Sequence, residues 1–405
     1  MRILHIVNDY LPNSKAGTEY YISELSEAQM ELGYLPSVLY TKILEDSNVN
    51  HEPFYIITES EYQNIPTYVL TIPLSHKNLL YNSYLLNTLK PWMQGMDFSL
   101  VHIHSMINYS CSLIDVIGRH IPVMFTFHDF WLLCANAILI HSAGKVCSGP
   151  DTLDKCVECQ RVHTDNLSSA WLIQRKNYAA KVMKRVNLGI CPSRFSLFKY
   201  KKYGEPDFKI VHESLGMKPV SMTNFSKNNG DPVRFTYLGG ICWFKGLDVA
   251  VSAFRALKIN NIILNIYGHI SSTHYFEKVM EIANGDSRIQ YCGAYSKSDL
   301  GSIFESTDCV ILPSRIESYS FVVREALSAG VPVIASNAGA LSEIVKHGKN
   351  GFLFKSGDGA DLAMNIFRVA KDPEILLSLK SGIKPVKTIY DDAVKIGEYY
   401  RSFMK

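Results

Sequence analysis

The 405-residue sequence contains no apolar run of the ~18–20 residues that a membrane span needs. Its opening, MRILHIVNDYLPN, is not expected to be a signal peptide, because the apolar stretch is short and Asn8-Asp9 interrupts it. A cytoplasmic compartment is the expectation. Neither sign of charge dominates: the formal net charge of +3 does not by itself indicate a nucleic-acid partner. There is no low-complexity tract and no repeat at the 20–50-residue periods of solenoids. No G-x-G-x-x-G follows the first strand pattern, which argues against a dinucleotide-binding dehydrogenase. A metal-binding D-x-D triplet is missing as well, and so are paired carboxylates of the kind that cleave glycosides.

What is present is a soluble composition, 47% hydrophobic and 20% charged, long enough for two domains of ordinary size. Strand and helix patterns alternate throughout. In the first half ILHIV (3–7), LVHIH (100–104), PVMFTF (122–127) and Leu188–Cys191 read as strands. An amphipathic helix is expected at 18–32, another at about 169–186, and a third from Ser193. The second half is more regular: VRFTYLG, NIILNIYG, RIQYCG, DCVILP, PVIAS and GFLF are apolar and β-branched, as strands buried on both faces of a parallel sheet are. The pattern predicts an α/β fold of two doubly wound domains, 1–215 and 216–387, with the boundary in the polar stretch 215–232. The segment 388–405 is expected to be a final helix that packs back on the first domain.

Ligands of open parallel sheets bind beyond the carboxyl ends of the strands, so two such edges facing each other would form an interdomain cleft. Two stretches just after strands carry chemistry. Gly239-Gly240-Ile241-Cys242-Trp243-Phe244-Lys245-Gly246 places a lysine beside a helix start, where backbone N–H groups favour an anion such as phosphate. A plain β–α turn with a surface lysine has the same pattern. Pro313-Ser314-Arg315-Ile316-Glu317-Ser318-Tyr319-Ser320 leads into a helix from Phe321 to about Ala329, with Ser318 and Ser320 as N-cap candidates. Glu325 would lie ~7 Å along that helix, a plausible reach from a diphosphate to a ribose diol. Glu317 would lie on the other side of the phosphate position. Ordinary surface acids on a helix would read alike.

The spacing of Glu317 and Glu325, followed by Ala326, Gly330, Pro332-Val333, Ala335-Ser336, Gly339, Glu343, Gly348, Gly351-Phe352 and Gly357-Asp358, resembles family 4 of the retaining glycosyltransferases, which have the GT-B fold. The likeness is dense over 230–371. It is looser earlier, at Gly17-Thr18-Glu19, Thr126-Phe127-His128-Asp129 and Cys191-Pro192-Ser193-Arg194-Phe195.

That resemblance implies two Rossmann-like domains, an N-terminal one on the acceptor side and a C-terminal one that binds a nucleotide-sugar donor, UDP- or GDP-linked. It implies transfer to a hydroxyl of a glycan or lipid-linked acceptor for a surface polysaccharide, with retention and no catalytic metal. Lys245 would bind the diphosphate, Glu325 the ribose and Glu317 the sugar. The backbone of Ser318, Tyr319, Ser320, Phe321 and Val322 would line phosphate and sugar. Ala294 and Tyr295 would meet the base, Gly17 would face the phosphates, and His128 would lie near the reaction centre. The family's arginine five residues before the lysine is replaced by Gly240, which removes a bidentate donor. Arg315 or Arg324 would be its substitute. An epimerase on the same fold, or a homologue that binds nucleotide-sugar without transferring it, are the rival readings.

Two further clusters stand out. Cys134, Cys147, Cys156 and Cys159 follow a C-x12-C-x8-C-x2-C spacing, which could build a structural zinc site in an insertion at about 134–160 beside His128. Reduced thiols or a disulfide pair are the alternatives, and His141 and His163 are expected on the surface. Cys111, Cys191, Cys242, Cys292 and Cys309 are expected to be buried free thiols. Residues 166–204 hold nine Lys/Arg and no Asp/Glu, interleaved with aromatics. Such a face could rest on an anionic membrane, as a peripheral protein would, or could simply be solvated.

Overall fold

A computed structural model of the chain describes residues 1–45, 55–76, 79–161, 169–222 and 230–404. It comprises two units, Met1–Lys218 with Lys387–Lys405, and Pro219–Val386. His163 and Lys227–Asn229 of the polar stretch lie outside the described residues.

The strands of the first unit are β1 (Arg2–Ile6), β2 (Leu35–Leu44), β3 (Ile56–Tyr62), β4 (Ile65–Pro73), β5 (Leu100–Ile103), β6 (Val123–Thr126), the short hairpin β7 (Ile140–His141) and β8 (Lys145–Val146), then β9 (Leu188–Cys191) and β10 (Ile210–His212). Its helices are α1 (Gly17–Glu31), α2 (Ser83–Gly95), α3 (Leu113–Val116), α4 (Leu153–Arg161), α5 (Ser169–Arg185) and α6 (Arg194–Tyr203). Eight of the strands form one sheet in the order β10-β9-β6-β5-β1-β2-β4-β3, parallel except for β3 against β4. The central strands β5, β6 and β9 are buried along their whole length, which explains their uninterrupted apolar sequence.

β2, β3, β4 and α2 lie between 34 and 99, where the sequence pattern predicts no element. The β3–β4 hairpin shows why. Gln63 and Asn64 both take positive φ, 52° and 62°, the two-residue turn that joins twisted antiparallel strands. Glycine-free turns of this kind are hard to see in a sequence.

The second unit holds β11 (Val233–Leu238), β12 (Ile262–Tyr267), β13 (Ile289–Gly293), β14 (Cys309–Leu312), β15 (Val333–Ser336) and β16 (Gly351–Phe354), with α7 (Leu247–Ala256), α8 (Thr273–Ala283), α9 (Leu300–Glu305), α10 (Phe321–Ser328), α11 (Leu341–Ile344), α12 (Gly359–Lys371) and α13 (Pro373–Ser381). All its strand pairs are parallel, in the order β13-β12-β11-β14-β15-β16. In chain order that is 3-2-1-4-5-6, the Rossmann arrangement. Edge position decides one cysteine: Cys292, expected to be buried, is exposed, because β13 has only one neighbour and an open face.

The last helix, α14 (Ile389–Ser402), belongs to the first unit. Its buried residues Ile389, Asp392, Ala393, Ile396, Gly397 and Tyr400 recur at helical spacing, and Ile396 and Tyr400 pack with Ile3, Leu100, Met124 and Ile190 of the sheet. Asp392 is fully buried and holds the helix in register. It accepts from Gly216 N at 2.8 Å, Tyr21 Oη at 3.0 Å and Lys387 Nζ at 2.7 Å. Asp392→Ala would remove the buried acceptor of all three bonds, and Lys387 would keep Glu213 and the Ser214 carbonyl as partners; the loss should be on the order of 3 kcal/mol. Urea denaturation should show that loss, whereas Lys395→Ala, in an exposed pair with Glu398, should leave the midpoint where it is.

Candidate active site

In the second unit the strand order reverses between β11 and β14, and the two loops that carry the predicted residues follow these strands. They touch. A Cβ on Gly246 (φ +71°) would lie 2.0 Å from the carbonyl oxygen of Pro313, so only glycine allows this approach. Arg315 N–H donates to the Phe244 carbonyl at 2.8 Å.

Across this junction Lys245 Nζ donates to Glu317 Oε1 at 2.6 Å, and Ser314 Oγ donates to the same oxygen at 2.9 Å. Glu317 is buried, while Lys245 is partly exposed. A second glycine pins the Glu317 backbone: a Cβ on Gly339 (φ +56°) would meet Glu317 O at 2.2 Å, and Ala340 N–H donates to that oxygen at 3.0 Å. The structure thus brings Lys245 and Glu317 together as an ion pair. Their sequence separation of 72 gave no hint of it.

Ser320 precedes α10 but does not cap it as expected. Its φ of 72° and ψ of 94° replace the extended conformation that lets a cap side chain turn back to the helix, and its hydroxyl makes no cap bond. A non-glycine residue at positive φ is uncommon and stores strain that its surroundings must hold. The Tyr319 side chain is core: it is buried, its ring centre is 5.1 Å from that of Phe321, and the Arg324 guanidinium stacks 3.7 Å above it. Of Tyr319, then, the backbone is what a ligand could meet.

Glu325 lies partly exposed in the middle of α10. Ala294 and Tyr295 follow β13, three strands from β14, or about 14 Å at ~4.8 Å per strand. Gly240 has room: a Cβ there would stand 3.4 Å from Ser271 Oγ. Arg315 is committed elsewhere, bidentate to Asp248 at 2.9 and 2.6 Å, with a further bond to the Trp243 carbonyl at 2.6 Å.

In the first unit Gly17 is the exposed first residue of α1. Two residues on, Glu19 is buried and its Oε2 has no hydrogen-bond partner; burial, with Asp9 adding to it, raises its carboxyl to about 7. The sequence showed Glu19 only as part of a loop motif. His128 follows β6 and is the partly exposed end of a row of buried histidines. Asp129 beside it is raised by burial to about 6.

Cys134, Cys147, Cys156 and Cys159 all line one cavity of about 670 Å³ among α4, α5 and the β7–β8 hairpin. They are free thiols, and no three of the sulfurs lie within 4.8 Å of one another; among the described residues that holds only for ring nitrogens of His5, His102 and His104. Cys159 Sγ accepts from Ser142 N at 3.3 Å and Asn136 Nδ2 at 3.4 Å.

The basic stretch is largely paired within its own unit. Arg175 is buried and donates to the carbonyls of Trp131 and Cys134, Lys199 to Ser148 O, and Arg185 to Gly118 O and Ile121 O. Lys181, Lys184 and Lys202 pair with Asp115, Glu205 and Asp151. No described helix is long and apolar enough to cross a membrane.

Residues 222–384 match the family described as "Glycosyl transferases group 1", and residues 16–212 match "Glycosyltransferase Family 4". The chain belongs to the group 1, family 4 glycosyltransferases. Among its curated relatives are an uncharacterized glycosyltransferase of Methanocaldococcus jannaschii, 28% identical over 37% of this chain and 39% of that protein, and a D-inositol 3-phosphate glycosyltransferase of Pseudarthrobacter chlorophenolicus, 30% identical over 38% and 39%. The match therefore spans about two fifths of either relative's length. Over whole chains, the fold is that of sucrose-phosphate synthase from Thermosynechococcus elongatus (TM-score 0.73, 17% identity, 100% and 99% covered) and of Anabaena HepE in complex with UDP and glucose (0.68, 16%, 99% and 100%). These are GT-B glycosyltransferases.

The histidines of this family member give it a pH signature. Burial holds His5 at about 4, His128 at about 3, and His102 and His104 well below the ordinary 6.5. All four are neutral in the native state, so below pH 6.5 the unfolded chain binds protons that the native chain does not, and stability falls. Glu19 and Asp129, raised in the native state, oppose this as pH drops to about 4.5; below that the unfolded carboxyls protonate too and the opposition ends. The melting temperature should decline gently from pH 6.5 to 4.5 and steeply below it. Glu19→Gln, which removes one opposing carboxyl, should steepen the upper part of the curve.

Proposed function

We propose that this glycosyltransferase moves a sugar from a nucleoside-diphosphate donor to a hydroxyl of a glycan or lipid-linked acceptor, with retention at the anomeric carbon. The observation that carries this reading is the Lys245–Glu317 pair at the switch point of the Rossmann sheet, beside the N-terminus of α10. Lysine has three N–H groups, and one is on Glu317; the others suit phosphate oxygens. Glu317, anionic and fixed, suits sugar hydroxyls and not the phosphates. Glu325 suits the ribose diol, and the residues after β13, Ala294 and Tyr295, the base. HepE, of the same fold, is described with UDP, which makes UDP the first donor to try.

In the transfer the bond from the anomeric carbon to the diphosphate oxygen breaks, and the acceptor oxygen bonds to the same face. The acceptor's proton passes to the leaving diphosphate, while Lys245 and the α10 N-terminus stabilise its charge.

Thermal shift against UDP, GDP, ADP and their sugars, followed by product NMR, tests the reading. The expected result is stabilisation by one nucleotide series and a product of retained configuration. Turnover of donor alone to an isomer would make the protein an epimerase, and binding without transfer a non-catalytic homologue. Glu325→Ala should weaken nucleotide binding about ten-fold, the scale of one charged hydrogen bond. Glu317→Gln should leave that affinity alone and depress transfer; equal losses of nucleotide affinity would refute this division. Gly240→Arg, at a position where a Cβ would meet nothing nearer than Ser271 Oγ at 3.4 Å, should lower the donor KM.

The four cysteines extend the proposal. Thiols ringing one cavity, with Cys156 and Cys159 three apart on α4 and N–H donors on Cys159 Sγ, suit a structural zinc ion once the sulfurs draw together. Metal analysis should find about one zinc per chain, lost in Cys156→Ser. A metal-free native protein would exclude it.

A further inference from the structure

Lys245 stands near the end of a turn, residues 239–246, that has glycine at both ends. Gly239 and Gly246 take φ of 147° and 71°, so the backbone at neither end is restrained by a side chain. The front of the turn is fixed by its backbone. Ile241 N–H donates to His269 O at 2.8 Å, and Ser271 N–H donates to Ile241 O at 3.2 Å. The back, where the lysine stands, is fixed by one residue of the loop after β14. The backbone N–H of Arg315 donates to Phe244 O at 2.8 Å, and its Nη1 donates to Trp243 O at 2.6 Å. Both carbonyls that precede Lys245 are therefore held by Arg315. The same guanidinium lies over the Trp243 ring, 4.6 Å from its centre.

The guanidinium is itself braced. Asp248, in the first turn of α7, takes it bidentately at 2.9 and 2.6 Å. Tyr275 of α8 orients that carboxylate: its Oη donates to Asp248 Oδ1 at 2.5 Å and accepts from Asp248 N–H at 3.0 Å. Tyr275 in turn packs on the core of the second unit. A planar fork of five N–H groups lets arginine serve a carboxylate and a carbonyl at once, which the single ammonium of a lysine on its flexible stem does not.

Arg315 also stands two residues before Glu317, so one residue is tied by the chain to one member of the ion pair and by hydrogen bonds to the turn that carries the other. Such placement matters for catalysis, because a misplacement of about 1 Å can cost on the order of 10²-fold in rate.

We propose that Arg315, braced by Asp248 and Tyr275, is a positioning residue that fixes the Lys245 turn against the Glu317 loop and so presents the lysine ammonium to the donor diphosphate. It acts through Lys245. The placement of the turn stands on the hydrogen bonds alone; the consequence for the diphosphate rests on the glycosyltransferase reading above.

Two variants test it. Arg315→Lys keeps the charge and loses the fork, and Asp248→Asn keeps the shape and loses the ion pair. Urea denaturation first establishes that each is folded. In the unliganded protein, a double-mutant cycle of Lys245→Met and Glu317→Gln measures the coupling of that pair in unfolding free energy. The coupling should be present in the wild type and lost in the Arg315→Lys background. Titration with UDP and UMP (or GDP and GMP, or ADP and AMP, where thermal shift selects that base) reads the grip on the second phosphate as the preference for diphosphate over monophosphate. Arg315→Lys, Asp248→Asn and Lys245→Met should each lower this preference about ten-fold, the scale of one charged hydrogen bond, with monophosphate affinity unchanged. The first two should lower kcat by a similar factor, and the double variant should be no worse than either, as for residues that act as a unit. A coupling absent from the wild type or unchanged in folded Arg315→Lys, equal losses for diphosphate and monophosphate, or additive losses in the double variant would each overturn the positioning role. A diphosphate preference that Lys245→Met leaves intact would instead overturn the placement of the diphosphate on Lys245, and the coupling cycle would still decide the positioning role.

Discussion

Parallel strands deliver every loop that follows them to the same edge of the sheet, and this constraint governs the rest of the molecule. In the second unit it brings the loops after β11 and β14 against each other, although their key residues are 72 positions apart. Contact then requires glycine where the backbones meet, at Gly246 against Pro313 and Gly339 against Glu317. The result is a lysine and a glutamate paired at 2.6 Å on fixed backbone. A pair at this depth is poorly solvated, so each member needs the other or a ligand that replaces it. That makes it suited to exchanging one partner for a charged substrate.

The same constraint acts in the first unit with a different outcome. There the reversal of strand order collects uncharged imidazoles in place of an ion pair. Burial strips them of protons near neutral pH, and mutual hydrogen bonds satisfy what remains. The row ends at His128 on one side and, through Gln29, at Tyr400 of α14 on the other. A helix from the far end of the chain is thus tied to a candidate site residue. Asp392, itself buried, holds that helix through three donors, so the packing of α14 and the state of the imidazoles are parts of one polar network.

Much of the fold was legible because buried parallel strands write themselves as apolar β-branched runs. Every strand of the second unit could be read that way. The segment 34–99 could not, since β3 is a half-exposed edge strand and its turn uses Gln63-Asn64 without glycine. Ser320 looked like a helix cap from its type and place, but its φ of 72° turns the hydroxyl away from that role. The basic stretch looked like an unpartnered face, yet Arg175, Lys181, Arg185 and Lys199 meet carbonyls and a carboxylate of distant segments.

The sequence by itself determined the family, the doubly wound architecture and which residue types follow which strands, because these depend on local periodicity and short spacings. Tertiary structure alone decided who meets whom. That Lys245 meets Glu317, that Arg315 is taken by Asp248, and that Gln29, His5, His104 and His128 form one row all follow from strand order, which no local pattern encodes. Pairing across a sheet joins residues far apart in the chain, and the free energy that selects the partners belongs to the packed core as a whole.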